Sequence, residues 1–153
     1  MSTARLVPHL ICRDASTAID FYQRALGAES MLVLHAPDGK LMHARLQVNG
    51  GEVFLCDEFP SCGALSPQGL GGSPVTIHLQ VDDCDAWFAR ALAAGCEARM
   101  PPEDMFWGDR YAVFVDPFGH AWSVATTVRT LSAEELASAA ASACVATETA
   151  PSA

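Results

Sequence analysis

The feature that most limits how this chain folds is that it repeats. His9-Leu10-Ile11-Cys12-Arg13-Asp14, residues 15–26 and Gly27-Ala28-Glu29 return as His78-Leu79-Gln80-Val81-Asp82-Asp83, residues 84–94 and Gly95-Cys96-Glu97. The histidines lie 69 residues apart and the glycines 68. Gly51-Glu52-Val53-Phe54 answers Gly119-His120-Ala121-Trp122 at the same offset of 68. Self-similarity at a fixed period marks repeated supersecondary units, which must be recognised before the fold can be read. The units are expected at 5–60 and 73–128. A short lead at 1–4, a Gly/Ser/Pro-rich linker at 61–72 and a tail at 129–153 complete the chain. With 153 residues, half of them apolar, the two units suffice for one shared core.

Each unit reads as strand, helix, then three strands. The apolar runs at 6–11 and 75–81 suit strands. Asp14, and Asp82 or Asp83, stand where a side chain accepts from the first free N–H groups of a helix. Ala18, Ile19, Tyr22 and Leu26 recur at helical spacing, as do Phe88, Leu92 and Trp87 in the second unit. Gly27 and Gly95 fall where a helix ends in a left-handed residue. Turns at Pro37-Asp38-Gly39-Lys40 and Asn49-Gly50-Gly51 separate strands expected at 31–34, 41–48 and 52–56. In the second unit a loop around Pro101-Pro102 precedes strands at 111–115 and 120–126, joined by Asp116-Pro117-Phe118-Gly119. Trp87, Trp122, Phe21 and Phe54 sit at core spacing. Ser132 and Glu135 form a capping box, beyond which the Ala/Ser/Thr tail is expected to fray after Leu136 and run into disorder.

Eighteen acidic residues against nine basic ones give a formal charge of −9 and a pI near 4.8. Such a balance repels phosphate backbones and argues against nucleic acid as a partner. Lys40 is the single lysine, which removes most candidates for a phosphate cradle or a Schiff base. No run of eighteen apolar residues argues for a membrane span, and no apolar leader precedes a cleavage site, so a cytoplasmic location is expected. Cys12, Cys56, Cys62, Cys84, Cys96 and Cys144 include no CxxC pair, which disfavours structural zinc and a disulfide framework. Most of them read as small buried apolar residues.

These modules resemble the vicinal oxygen chelate superfamily, the group that includes glyoxalase I, bleomycin-resistance proteins, fosfomycin-resistance enzymes and extradiol dioxygenases. The stretches that carry the resemblance are Ala18-Ile19-Asp20-Phe21-Tyr22, His43-Ala44, Phe54-Leu55-Cys56-Asp57-Glu58 and Gly72-Ser73-Pro74-Val75. Phe106-Trp107-Gly108-Asp109-Arg110-Tyr111 and Asp116-Pro117-Phe118-Gly119-His120-Ala121-Trp122-Ser123 carry it further, and the closer match is the PhnB-like branch. The resemblance implies an α+β fold, two tandem βαβββ modules whose sheets make a cupped, U-shaped cavity for a small molecule, often in a homodimer. A methyltransferase is not supported, since no glycine-rich turn follows a strand. A phosphonate role lacks a phosphate loop.

In metal-using members the ligands come from the first and last strands of each module. Those positions fall here on Val7, Leu55, Thr76 and Ser123, none a strong ligand. His9 and His78 lie two residues further along the same strands and keep the same parity. Asp57 lies two beyond Leu55. His9, His78 and Asp57 are therefore the expected metal set, suited to Fe(II), Mn(II), Ni(II) or Zn(II) with positions left open for substrate oxygens. The alternative is that both histidines line a cavity without metal. His43 is a candidate general base and Glu58 a candidate proton shuttle. Phe106 and Trp107, in a loop bounded by prolines, are expected to close over a planar ligand, with Arg110 pairing an anionic group. Three functions stay open: a divalent-metal-dependent lyase, isomerase or dioxygenase; a metal-free protein that sequesters a hydrophobic or cationic compound; and a small-molecule sensor or accessory domain tethered by the Ala/Ser tail.

Overall fold

A computed structural model describes residues 5–148. The first module runs β1 (His9–Cys12), α1 (Ala15–Leu26), β2 (Glu29–His35), β3 (Leu41–Val48) and β4 (Gly51–Asp57). The second runs β5 (Thr76–Gln80), α3 (Cys84–Ala94), β6 (Glu97–Asp104), β7 (Asp109–Val115) and β8 (Ala121–Thr127). Each forms a four-stranded mixed sheet, in the order β1-β4-β3-β2 and β5-β8-β7-β6. The first and last strands of each module pair in parallel, the others antiparallel. This is the expected α+β fold of two tandem βαβββ modules.

Local chemistry explains the boundaries. Asp14 caps α1 by accepting from the Thr17 amide at 3.0 Å, and Asp83, rather than Asp82, caps α3 through the Ala86 amide at 3.0 Å. Gly27 ends α1 in the left-handed conformation at φ 64°, which a side chain would strain. The Pro101-Pro102 stretch, expected as a loop, lies inside β6. The prolines fall where the ladder to β7 skips from Met100–Val113 to Glu103–Tyr111. An irregular edge strand is the place in a sheet that tolerates residues without an N–H.

The linker is more ordered than its composition suggests. It holds a 3₁₀ turn (Pro60–Cys62) and the short helix α2 (Pro67–Leu70), capped by the buried Ser66. The capping box forms as expected, with the Ser132 amide donating to Glu135 at 2.8 Å and the Glu135 amide to Ser132 at 3.2 Å. The helix it starts, α4, runs Ala133–Glu148, well past Leu136. Alanine's helix propensity carries it on.

One core joins the modules. Helices α1 and α3 pack together, and the core includes Tyr22 and Leu26 from one module with Phe88, Phe114 and Trp122 from the other. At its centre the buried Asp116 carboxylate accepts from Tyr22 Oη at 2.5 Å, Trp122 Nε1 at 2.9 Å, and the amides of Phe118 and His120 at 2.9 and 3.0 Å. Arg90 on α3 donates to the carbonyls of Arg24 and Gln23 at the end of α1, where the helix leaves carbonyls without partners. Both modules thus use their helix-facing side for the core, which leaves the other face of each sheet for a ligand.

Candidate functional site

Strand alternation decides which side chains reach the open faces. In β1 and β4, Leu10, Cys12, Val53 and Leu55 are buried against the helices. His9 therefore points the other way, beside Phe54, its partner across the ladder. His43 joins them, its ring 4.8 Å from Phe54 and 5.8 Å from His9, edge-on in both cases. Burial and the neighbouring His43 hold His9 below the ordinary imidazole pKa.

Asp57 does not share that face. It has the parity of Leu55, which is wholly buried on the helix side, so taking Leu55 as a cavity position inverted the reading of β4. Its carboxylate accepts from the Ala15 amide at 2.8 Å and the Leu41 amide at 2.7 Å, tying the start of α1 to the start of β3. Glu58 serves the linker. It accepts from the Ser66 hydroxyl and, at 3.0 Å, the Ser66 amide. These bonds, with Arg13 and Lys40 nearby, hold its carboxyl below the usual range. Ionised and committed, it is poorly placed as a proton shuttle.

On the second module, Thr76, His78 and Gln80 alternate with Ile77 and Leu79, which pack on the core. His78 is fully engaged: its Nδ1 lies 2.7 Å from Ser123 Oγ and its Nε2 3.0 Å from Gln80 Oε1. Gln80 Nε2 donates to Thr127 Oγ1 at 2.9 Å, which leaves Gln80 Oε1 to accept from the imidazole. The network therefore sets the tautomer: Nε2 carries the proton and Nδ1 accepts from the Ser123 hydroxyl. Tyr111 stacks on His78 at 6.1 Å and 20°. Trp107 meets Tyr111 edge-on at 5.6 Å, and Phe106 meets Trp107 at 5.0 Å. Tyr111 and Gln80 did not stand out as site residues in the sequence, and Ser123 did so only as a ligand position without a strong ligand. The polar alternation through 76–80 was the available signal for one of them.

Arg110 turns away from this row. Its neighbours Ala112 and Phe114 on the same side of β7 are buried. Its guanidinium grips Asp85 on α3 at 2.5 and 3.0 Å and Asp104 at 3.1 Å. Those carboxylates raise its pKa further. It fastens α3 to β6 and β7 and has no donor pair turned toward a ligand on the open face.

Between β1 and β5 runs a groove that includes two cavities. One of about 410 Å³ is lined by Leu6, Val7, Pro8, Val75, Ile77 and His78 among others. A second of about 300 Å³ adds His9, Leu10, Ser73 and His120. A further cavity of about 490 Å³ lies at the other end of module one, around Arg13, Asp14, Asp38, Lys40, Asp57 and Glu58. There Asp14 caps α1, Asp57 and Glu58 accept the bonds just described, Arg13 lies 3.8 Å from the Glu58 carboxylate and Lys40 donates to the Glu58 carbonyl at 3.0 Å. The groove has the apolar lining with a few polar groups that small-molecule sites favour.

The donor set does not fit a divalent metal. Both nitrogens of His78 are occupied, Asp57 lies on the opposite face, and His9 and His43 remain as two imidazoles without a carboxylate. Among the described residues no group of three or more His, Cys, Asp or Glu is placed to hold a metal ion. Burial also raises the buried thiols, Cys96 to about 12 and Cys84 to about 11, so these are not thiolate donors.

Residues 4–124 match the model of the glyoxalase/bleomycin resistance protein/dioxygenase superfamily. An uncharacterised protein of Mycobacterium tuberculosis strain H37Rv is 50% identical over 137 residues, covering 88% of this chain and 81% of the relative. Among solved structures, TioX from Micromonospora sp. ML1 superposes with a TM-score of 0.66 at 27% identity, covering 82% of this chain and 99% of that one. The fosfomycin resistance protein FosX of Listeria monocytogenes, complexed with Mn(II) and sulfate, shares the fold at a TM-score of 0.61 and 18% identity, covering 90% of this chain and 98% of that one.

Proposed function

From the glyoxalase/bleomycin resistance protein/dioxygenase superfamily, to which this chain belongs, we propose a PhnB-like member that binds a flat, apolar small molecule without a metal and works as a homodimer. The observation that carries the reading is the row Phe106–Trp107–Tyr111–His78, which ends where the 410 Å³ cavity meets His78. Stacked and edge-on rings give a rigid surface for another ring. The Ser123–His78–Gln80–Thr127 chain fixes the imidazole nearly parallel to Tyr111, so the surface is ordered before a ligand arrives. Preorganisation of this kind lowers the entropic cost of binding. The acidic surface favours a neutral or cationic ligand over an anionic one. The motif residues that resemble the PhnB-like branch support that placement. The exposed Leu6 and Val75 at the groove support closure by a second copy. Buried reduced thiols at Cys12, Cys56, Cys84 and Cys96 suit the cytoplasm.

Proflavine, a flat cationic aromatic, is the first probe. The reading expects saturable binding followed by its own fluorescence. Tyr111→Leu and Trp107→Leu should each weaken it about tenfold, as the loss of one stacking partner worth roughly 1.4 kcal/mol implies. Chelator treatment should leave binding unchanged. Equal affinity in wild type and both variants would overturn the placement, and loss of binding on chelation would restore the metal-dependent reading.

A further inference from the structure

The two modules place matching residues at the same points of their open faces, and the chemistry at those points differs. Offsets of 68 and 69 residues match His9 with His78, Ile11 with Gln80, His43 with Tyr111 and Phe54 with Ser123. The ladders agree, since His9 pairs with Phe54 and His78 with Ser123. His78 is bonded at both nitrogens, to Ser123 and to Gln80. In module one Phe54 and Ile11 take the places of those two partners and offer no hydrogen bond. Among the described residues His9 and His43 meet each other and Phe54 edge-on, and neither imidazole has a hydrogen-bond partner.

His9 also stands in the path of a ligand. The cavities of about 410 and 300 Å³ share Pro8, Val75 and Ile77, with His78 lining the first and His9 the second. A flat molecule seated on the ring row at His78 and extending along that shared wall arrives at His9. Burial and the neighbouring His43 hold His9 below the ordinary imidazole pKa, so at neutral pH it is uncharged and keeps a lone pair on one ring nitrogen. Covering that nitrogen with carbon takes away its water and returns nothing, whereas an N–H placed there restores a bond. A site of this kind disfavours a ligand without the matching donor, because the acceptor is left unpaired.

We infer that His9, with His43 behind it, reads the far edge of the ligand by accepting a hydrogen bond from it, so that the class taken up is flat aromatics with free amino N–H groups, in preference to bare or fully alkylated rings. This specificity rests on the ring-row reading of the groove given above and adds to it a second point of contact, in the other module.

Proflavine and acridine orange test it. They are the same three-ring cation, one with free amino groups and the other with those amino hydrogens replaced by methyls. Fluorescence titration of both dyes against each variant gives a ratio of affinities. The wild type should hold proflavine about tenfold or more tightly than acridine orange. His9→Phe, which keeps a ring beside His43 and Phe54 but removes the acceptor, should bring the ratio to about one. His9→Leu gives the same readout if His9→Phe does not fold. His9→Gln returns an acceptor and should recover part of the preference. Equal affinities in the wild type would overturn the inference. So would a ratio that survives loss of the His9 acceptor, since the bulk of the methyls would then explain it. Tyr111→Leu separates the two proposals, because it should weaken both dyes together. Two dyes that bind alike and both depend on Tyr111 would leave the ring row standing and remove His9 from recognition. Failure of both dyes to bind saturably would overturn the ring row and this inference with it.

Discussion

The Asp116 node offers the sharpest test of what joins the modules. Asp116→Asn keeps the size of the side chain and removes one oxygen. If the remaining oxygen keeps the amides of Phe118 and His120, the new NH₂ faces Tyr22 Oη and Trp122 Nε1. The tyrosine can turn its oxygen to accept, but the indole N–H cannot reverse. One charge-assisted bond is lost outright, at about 1.5–3 kcal/mol, and a buried donor is left unpaired at about 1–3 kcal/mol more. The expected cost is ~3–5 kcal/mol, a large part of the 5–15 kcal/mol typical of a domain. In this size range it should lower Tm by roughly 10–15 °C. Trp122→Phe removes the offending donor and leaves Asp116 with three partners, so alone it should cost less than Asp116→Asn. The double variant should then be more stable than the sum of the two, because the asparagine no longer meets an indole N–H. Chemical denaturation followed by circular dichroism gives all four corners of the cycle. A cost below about 1 kcal/mol for Asp116→Asn, or strict additivity with Trp122→Phe, would refute the account of this node.

Asp57→Ala should destabilise the chain by about 2 kcal/mol, since it removes a carboxylate that holds two backbone amides. Its proflavine affinity should be unchanged, and a parallel loss of ligand binding would put Asp57 back in the site. His9 should titrate below 6.5 in an NMR pH series. The depressed folded value means the unfolded chain takes up that proton first, so its contribution to stability is present above about 6.5 and is lost as pH falls toward the folded pKa. A midpoint at or above 6.5 would contradict the burial. Glu58→Gln should speed exchange of the Ser66 amide and flatten the acid branch of stability, since the lowered Glu58 contributes above about 4.5 and loses its effect as pH falls through the folded value. An unchanged Ser66 rate would show that the linker is held by other contacts.

Much of the fold was legible because it is written twice. The offset of 68–69 residues fixed two modules, and Asp14, Gly27 and Gly95 marked helix ends by chemistry that acts within a few residues. The long-range features were not legible. Pro101 and Pro102 read as a break, yet a ladder irregularity on an edge strand accommodates both. Alternation showed that His9 and Asp57 each have a definite parity, but it did not show which side of β4 faced the helices. One strand's error of that kind moves every side chain to the wrong face. Glu58 and Arg110 have structural partners that the sequence did not reveal, for a different reason. Both are charged residues in suggestive places, and each finds its partners on elements that only the fold brings near, Ser66 in the linker and Asp85 on α3.

The same limits explain why the metal set was attractive and why it does not form. Two histidines and an aspartate are a sound ligand list, but a ligand needs a free lone pair aimed at a common point. For His78 to bind a metal through Nδ1 it must give up Ser123, which would leave a serine that is 2% exposed without its acceptor. To bind through Nε2 it must lose a proton and free itself from Gln80. Either change breaks a chain of three bonds that runs from Ser123 to Thr127. Ser123→Ala tests whether that chain sets the imidazole. With the hydroxyl gone, His78 Nδ1 loses its donor, and nitrogen NMR shifts should report a mixture of tautomers in place of one. Proflavine binding should weaken as the ring loses its fixed attitude against Tyr111. A single unchanged tautomer in Ser123→Ala would mean that Gln80 alone orders His78, and that one nitrogen is free for a ligand after all.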